Sequence, residues 1–255
     1  MDSPERMRAG LGAAVAGGGL SAADRLCLAC VELLQVDGAA ISVVHDGASR
    51  GTFGSSGWLS RRLDEYQFTF GEGPCLDAVA SGRPVLVANL GLRDESRWPA
   101  FTEAVLAAGV RAVFALPVLV TTAAVGALDL FRNSPGSLAG EGLAGGLLAA
   151  ELAALPLLDL LATDVDWVAE AEGTAGGRGA ASELASLERV EVYQATGMIM
   201  ADLDVDAAEA LLRLRAYAFT QSLTASEVAW QIVERRLVLR RDGSWPGPAG
   251  PGASS

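Results

Sequence analysis

The chain is predicted to be α+β: an antiparallel sheet flanked by helices, followed by a small all-α domain of three helices. Three observations support this. Residues 20–160 read in the order helix, strand, strand, helices, strand, helix, strand, strand, helix, which suits one central antiparallel sheet with helices on its faces. The run EGTAGGRGAA at 172–181 can make few contacts and reads as a linker. Beyond it, residues 186–236 draw three short amphipathic helices, the second and third with clear start signals.

Taken in order, residues 1–20 are Gly/Ala-rich and are expected to be poorly ordered. Ser21 with Asp24 resembles a capping box, with Asp in place of Glu. Leu26, Cys27, Cys30, Val31 and Leu34 then give a helix with one buried face. Ala39–Val44 is a strand, His45-Asp46-Gly47 a turn signal, and Arg50–Ser55 the returning hairpin partner. Trp58–Tyr66 is amphipathic and helical. In FGEGPCLDAVASGRPVLVANL, residues 70–90, a Gly-Pro break opens a short helix at Cys75–Ala80, Ser81-Gly82 ends it, and Pro84–Ala88 is a strand. Residues 97–108 are helical. Ala112–Val120 and Ala124–Phe131 pair around a turn at Thr121–Ala123, and Asn133-Ser134-Pro135-Gly136 is a strong stop. Leu138 to about Leu161 is a long helix carrying Pro156, and the tail from Gly243 is Pro/Gly/Ser-rich and expected to be disordered.

Composition narrows the function classes. With 255 residues and a hydrophobic share of 51%, one large or two small domains can be buried. The formal charge is −12, from 31 acids and 19 bases, all of the latter arginine. Such acidity argues against nucleic-acid binding by the chain as a whole. Its distribution points elsewhere: Ser182–Arg241 holds nine acids and seven arginines, a net −2, and is electrostatically the segment least unsuited to phosphate. Three cysteines make no disulfide framework and fit a reducing compartment. The N-terminus, with Asp2 and Glu5, does not read as a signal peptide. The apolar run Ala112–Leu128 is interrupted by Pro117 and Gly126, and Leu138–Leu161 contains Glu141, Glu151 and Asp159, so neither reads as a membrane span. A cytoplasmic location is expected, with no membrane partner.

Catalytic and metal motifs are weak. Cys27-Leu-Ala-Cys30 is a CxxC inside a helix with no strand before it, better read as two small apolar side chains on a buried face. One histidine and three dispersed cysteines do not readily supply a metal site. Gly140-Glu-Gly-Leu-Ala-Gly145 matches GxGxxG in letters, without the following strand that a dinucleotide fold requires. His45 is the single histidine and stands beside a turn, and a Ser-His-Asp hydrolase is not expected. Cys75 follows Pro74 at a helix start, where backbone N–H groups would favour a thiolate, although a small buried packing residue is the commoner case. The chain is expected not to be an enzyme and to need no cofactor.

The C-terminal helices carry the strongest signal. Leu184, Leu187, Val190, Ala195 and Met198/Ile199 form one stripe of a helix running from about Ser182 to Met200. Asp204 or Asp206 caps a second helix whose Ala207, Ala210, Leu211, Leu214 and Ala218 face inward. Thr224 and Glu227 form a capping box for a third, with Val228, Ile232, Val233 and Leu237 apolar. Composition alone would make this a helical dimerisation bundle. The residues Arg189, Gln194-Ala195-Thr196-Gly197, Met200, Ala210, Leu214-Arg215, Ala218, Leu223, Val228-Ala229 and Val233 resemble, in order and spacing, the ANTAR family of RNA-binding modules of bacterial transcription antiterminators. The family usually has Lys where Thr196 stands. Residues 20–160, through their element order and GEGPCLDAVASGRPVLVANL, resemble the GAF fold, a small-molecule sensor domain.

Composition implies a disordered N-terminus at 1–20, a linker at 164–181 and a disordered tail at 242–255, and the resemblance implies a GAF-like sensor at 21–163 and an ANTAR-like three-helix RNA-binding domain at 182–241. The resemblance also implies a signal-responsive antitermination regulator that binds hairpins in nascent RNA. RNA contact is expected from Arg189, Tyr193, Gln194, Thr196, Gly197, Arg213, Arg215 and Tyr217, with the tyrosines stacking on unpaired bases. Cys75 and Trp98 are candidates to line a ligand pocket between the sheet and the helices at 58–80 and 97–108. A homodimer is expected, because the helices at 138–162 and 182–200 offer apolar stripes that one copy does not fully cover. The alternatives are a dimerisation or protein-partner module without RNA binding, favoured by an acidic surface over the junction of the first two C-terminal helices, and a thiol-based redox sensor using Cys75.

Overall fold

The computed structural model describes residues 3–45, 48–92, 96–170 and 189–238. The chain divides into two compact units, Met1–Glu188 and Arg189–Ser255.

The first unit opens with helices α1 (Ser3–Ala14) and α2 (Gly19–Leu34). The expected disorder of residues 1–20 is thereby corrected: the small residues that suggested it form a packing surface. Leu11 is fully buried, and a Cβ at Gly10 would lie 2.9 Å from Leu33 Cδ1. The Arg25 guanidinium closes the end of α1 by donating from Nε to the Ala14 carbonyl at 3.0 Å. The Ser21/Asp24 start signal is not used either. Helix α2 begins at Gly19, and Asp24 instead accepts from the Ser55 backbone N–H at 2.8 Å.

Strands β1 (Gly38–His45), β2 (Ala48–Ser55), β3 (Val85–Val87), β4 (Ala112–Val120) and β5 (Ala123–Arg132) form one antiparallel sheet in the order β2-β1-β5-β4-β3. Alternation along the strands divides its two faces. Ala39 and Ile41 of β1, Phe114, Leu116 and Val118 of β4, and Leu128 and Leu130 of β5 pack on α1, α2 and α6 (Gly140–Glu170). The opposite face carries α3 (Trp58–Phe70), α4 (Pro74–Ser81) and α5 (Pro99–Ala107). Val113 and Phe131 meet Leu63, Leu90, Trp98, Phe101 and Val105 there, and Ala127 meets Cys75.

The glycines at the start of α6 have a packing role. A Cβ at Gly145 would collide with Met7 of α1 and Leu34 of α2, and one at Gly146 would come within 2.8 Å of Leu116 Cδ1. The GxGxxG letters therefore mark a close helix contact. Gly140–Leu158 is long and apolar enough to cross a membrane. Its Ala149, Ala150, Ala153, Ala154 and Leu157 are instead buried on the sheet. The helix continues to Glu170, past the expected end near Leu161, so residues 164–170 of the expected linker are helical. The rest of that linker and the tail 242–255 lie outside the described residues.

The second unit has helices α7 (Val190–Leu203), α8 (Ala207–Thr220) and α9 (Ala225–Val233). Asp206 caps α8 by accepting from the Glu209 N–H at 2.8 Å. Thr224 and Glu227 form the reciprocal capping box of α9, at 3.2 and 2.7 Å. Val192, Ala195 and Ile199 of α7, Ala210, Leu214 and Ala218 of α8, and Val228, Ala229 and Ile232 of α9 make the core. The expected inward stripe of the first helix is out of phase at its start, since Val190 is 40% exposed. Ala207 is exposed too, because it stands at the first turn beyond the core contacts.

Candidate functional site

The α3–α4 side of the sheet gathers polar groups that the apolar patterning does not require. On α3, the fully buried Asp64 accepts from Ser49 Oγ of β2 at 2.8 Å and from Thr52 Oγ1 at 2.8 Å. One turn on, Gln67 bridges three elements. Its Nε2 donates to Asp129 Oδ2 of β5 at 2.8 Å, and its Oε1 accepts from the Cys75 backbone N–H of α4 at 2.8 Å. Gly73, with φ 147°, lets the chain pass, since a Cβ there would run into the Gln67 amide. Burial pushes the Asp129 carboxyl up to about 8; the Asp64 charge adds to that, while Gln67 opposes it.

Both ligand candidates are in this region and both are packed. Cys75 is fully buried, and burial followed by the Asp129 and Asp64 carboxylates pushes its thiol well up. The helix-start N–H expected to favour a thiolate is spent on Gln67. Trp98 is 2% exposed, donates from Nε1 to Asp77 Oδ2 at 3.1 Å, stands edge-on to Phe101 and carries the Arg97 guanidinium over its ring at 4.2 Å. Beside Arg97, an open groove of about 470 Å³ is lined by Asp77, Ala80, Ser81, Val85 and Arg97. Cys27 and Cys30 are fully buried free thiols, and burial raises both, Cys30 to about 12. Among the described residues no group of His, Cys, Asp and Glu is arranged to hold a metal ion.

In the C-terminal unit the eight expected contact residues do not share one environment. Tyr193 is 51% exposed, and Gln194 and Gly197 are exposed with it on α7. Arg189 is 5% exposed at the start of α7, and Thr196 is buried with its Oγ1 donating to the Val192 carbonyl. Arg213 is held by Glu209, with its Nε 3.1 Å from Oε1. Arg215 and Tyr217 are half-buried. Burial, then the nearby Arg189 charge, lowers the Arg215 pKa, so these two guanidiniums lie close enough to repel. The turn from α7 to α8 exposes Asp202, Asp204 and Asp206.

Asp64, Gln67, Gly73 and Asp129 belong to no motif legible in the sequence. A signal existed for one of them: Asp129 is the single charged residue inside the apolar run AAVGALDLF, and it faces inward. Phe219 and Trp230, 55% and 51% exposed on α8 and α9, belong to none either.

A model of the GAF domain matches residues 21–155, more than half of the chain, and a model of the ANTAR domain matches residues 182–233. No curated protein matches the chain. Among solved structures, the GAF domain from an Acinetobacter phosphoenolpyruvate-protein phosphotransferase aligns with a TM-score of 0.50 at 12% identity, over 64% of this chain and 99% of that one. The GAF domain of a Coxiella burnetii phosphoenolpyruvate-protein phosphotransferase gives 0.49 at 18% identity, over 64% of this chain and 97% of that one. The Acinetobacter likeness is one of fold alone.

Proposed function

The chain belongs to the GAF family and carries an ANTAR domain, and on that premise we propose that it is a signal-responsive transcription antitermination regulator that binds hairpins in nascent RNA through its C-terminal helices. The single observation that carries this reading is the ANTAR match over 182–233, behind a sensor domain. Both domains are regulatory in kind, so the mechanism is one of binding. A signal received by the sensor (21–163) alters the protein or its dimer packing, and residues 164–181 and the helices on either side pass the change to the output domain (182–241). The protein acts in the cytoplasm as a homodimer, with an unidentified small molecule as the sensor's ligand.

On the output domain, Tyr193, Gln194 and Gly197 are the contact residues that exposure favours. Tyr193 offers a stacking surface for an unpaired base. Arg213, Arg215 and Tyr217 stand at the margin, and Arg189 and Thr196 support the surface from beneath. The test is a titration of the full chain against hairpin RNAs selected from a library. Tight binding to a hairpin class over bulk RNA is expected. Equal, weak binding to all RNAs would remove the reading.

One observation favours a second reading. Asp202, Asp204 and Asp206 make the α7–α8 turn acidic and exposed, which suits a protein partner better than phosphate. In that reading the helices are a dimerisation or protein-partner module. The redox-sensor alternative loses its support, because a fully buried Cys75 with a raised thiol pKa is a poor nucleophile.

A further inference from the structure

The polar cluster under α3 and α4 is incompletely paired. Asp129 is 3% exposed on the central strand β5, and its Oδ1 has no hydrogen-bond partner. Ser42 of β1, on the same face by register, is fully buried, and the Cys75 thiol lies within reach of both its hydroxyl and the Asp129 carboxyl. Strand β1 presents Ala40 and Ser42, and β4 presents Ala115 and Pro117. Helix α3 presents Asp64 and Gln67, and α4 presents Cys75. The titratable groups facing Asp129 are thus another carboxylate and a thiol, and no cation acts on it among the described residues. Two carboxylates and a thiol cannot all ionise in a dry space without a counter-charge. The thiol keeps its proton, and of the two carboxylates Asp129 is the one that burial and the Asp64 charge keep protonated.

The element that covers the cluster on this face is α4. It is only eight residues long and is bounded by Gly71 (φ 68°) and Gly73 (φ 147°) on one side and Gly82 (φ 64°) on the other. Its N-terminus is tied to the cluster by the Cys75 N–H on Gln67. Ionised Asp129 can gain hydration only if something lifts off the sheet, and α4, a short helix between positive-φ glycines, is the element that lies over it.

We propose that Asp129 is a proton switch in the sensor domain: protonated, it keeps α4 seated on the sheet, and ionised, it releases α4 and opens Cys75 to solvent. The sign follows from linkage. The seated form holds its proton up to about pH 8. The open form, with an ordinary carboxyl, loses it near pH 4. The open population therefore rises about tenfold per pH unit across that interval and levels off above about pH 8.

The experiment is site-resolved alkylation of Cys75 in the full chain with a neutral reagent, from pH 5.5 to pH 9, each rate divided by that of the denatured chain at the same pH. The wild-type ratio is expected to climb about tenfold per unit and flatten above about pH 8, and Asp129→Asn to give a flat, low ratio throughout. Identical profiles for the two proteins, or a flat wild-type profile, overturn the proposal. Should Asp129→Asn fail to fold, hydrogen exchange of the wild type decides. Protection of the α4 amides has to fall with pH beyond the intrinsic rise while that of β4 holds, and an equal loss in both overturns it.

Discussion

Thr196 Oγ1 donates to the carbonyl oxygen of Val192 at 2.7 Å, one turn back along α7. The bond satisfies the hydroxyl of a residue that is only 8% exposed. The position where the ANTAR resemblance would place a lysine is thus a self-contained buried residue in this chain.

Thr196→Lys is therefore expected to lower the stability of the output domain, by about 1–3 kcal/mol, as its stem is forced among Val192, Ala195 and Ile199. The ammonium can still reach water at the edge of the helix. The salt dependence of RNA binding should then steepen by about 0.7 in log–log slope, one additional phosphate contact. Calorimetric unfolding and a salt titration read the two effects. An unchanged Tm would mean that the position is not packed.

Gly73→Ala is expected to destabilise the sensor domain by about 1–3 kcal/mol. The φ of 147° disfavours any side chain, and the new methyl would displace the Gln67 amide from both Asp129 and Cys75. Denaturant unfolding measures the loss. Gly57→Ala, where a Cβ meets nothing, is the control.

Cys27 and Cys30 should resist modification in the native protein. Both are fully buried, and a raised thiol pKa keeps the unreactive neutral form: Cys30, at about 12, holds its proton throughout the ordinary pH range and loses it only as pH rises toward that value. Site-resolved labelling at pH 8 is expected to proceed far more slowly than in denatured protein. Rapid formation of a Cys27–Cys30 disulfide under mild oxidant would contradict this.

The homodimer can be tested on α6. Leu147, Leu155 and Leu158 fall on one stripe with Glu151 and are 45%, 53% and 42% exposed, an apolar strip that the same unit leaves uncovered. Light scattering over a wide concentration range is expected to give a dimer for the wild type and a monomer for Leu155→Glu. A wild-type monomer at every concentration would remove both the dimer and the signal relay that depends on it.

What was legible in the sequence was local. The Thr224–Glu227 capping box, the Asp206 cap, the Gly82 stop after α4 and the hairpin of β4 and β5 depend on residues a few positions apart, and the structure has all four. Helix α1 is illegible in the sequence because a Gly/Ala-rich segment shows no amphipathic stripe, and what orders it lies elsewhere, in Leu33 and Arg25. The phase of α7 was missed at its start because Val190 and Val192 are equally apolar, and only tertiary contact decides that Val192 is the one buried. The polar cluster was least legible. Gln67 and Asp129 are 62 positions apart, and nothing short of the sheet register brings Ser42 beside them.

The output surface separates structural from contacting residues in a way one pair of variants can test. Tyr193 is half exposed on α7, whereas Arg189, four residues earlier, is 5% exposed and close enough to Arg215 to repel it. Tyr193→Ala is expected to lower Tm less than Arg189→Ala does and to weaken hairpin binding by about 1–3 kcal/mol, the loss of one stacked base. Arg189→Ala is expected to lower Tm as well as affinity, because removing a buried charged side chain strands whatever it holds. Both are measured in the full chain, by calorimetry and by titration against the same selected hairpin. If Arg189→Ala lost affinity at unchanged Tm, the guanidinium would be a direct RNA contact that becomes accessible on binding. If Tyr193→Ala changed neither quantity, the exposed face of α7 would not be the RNA-binding face, and the partner-module reading would gain.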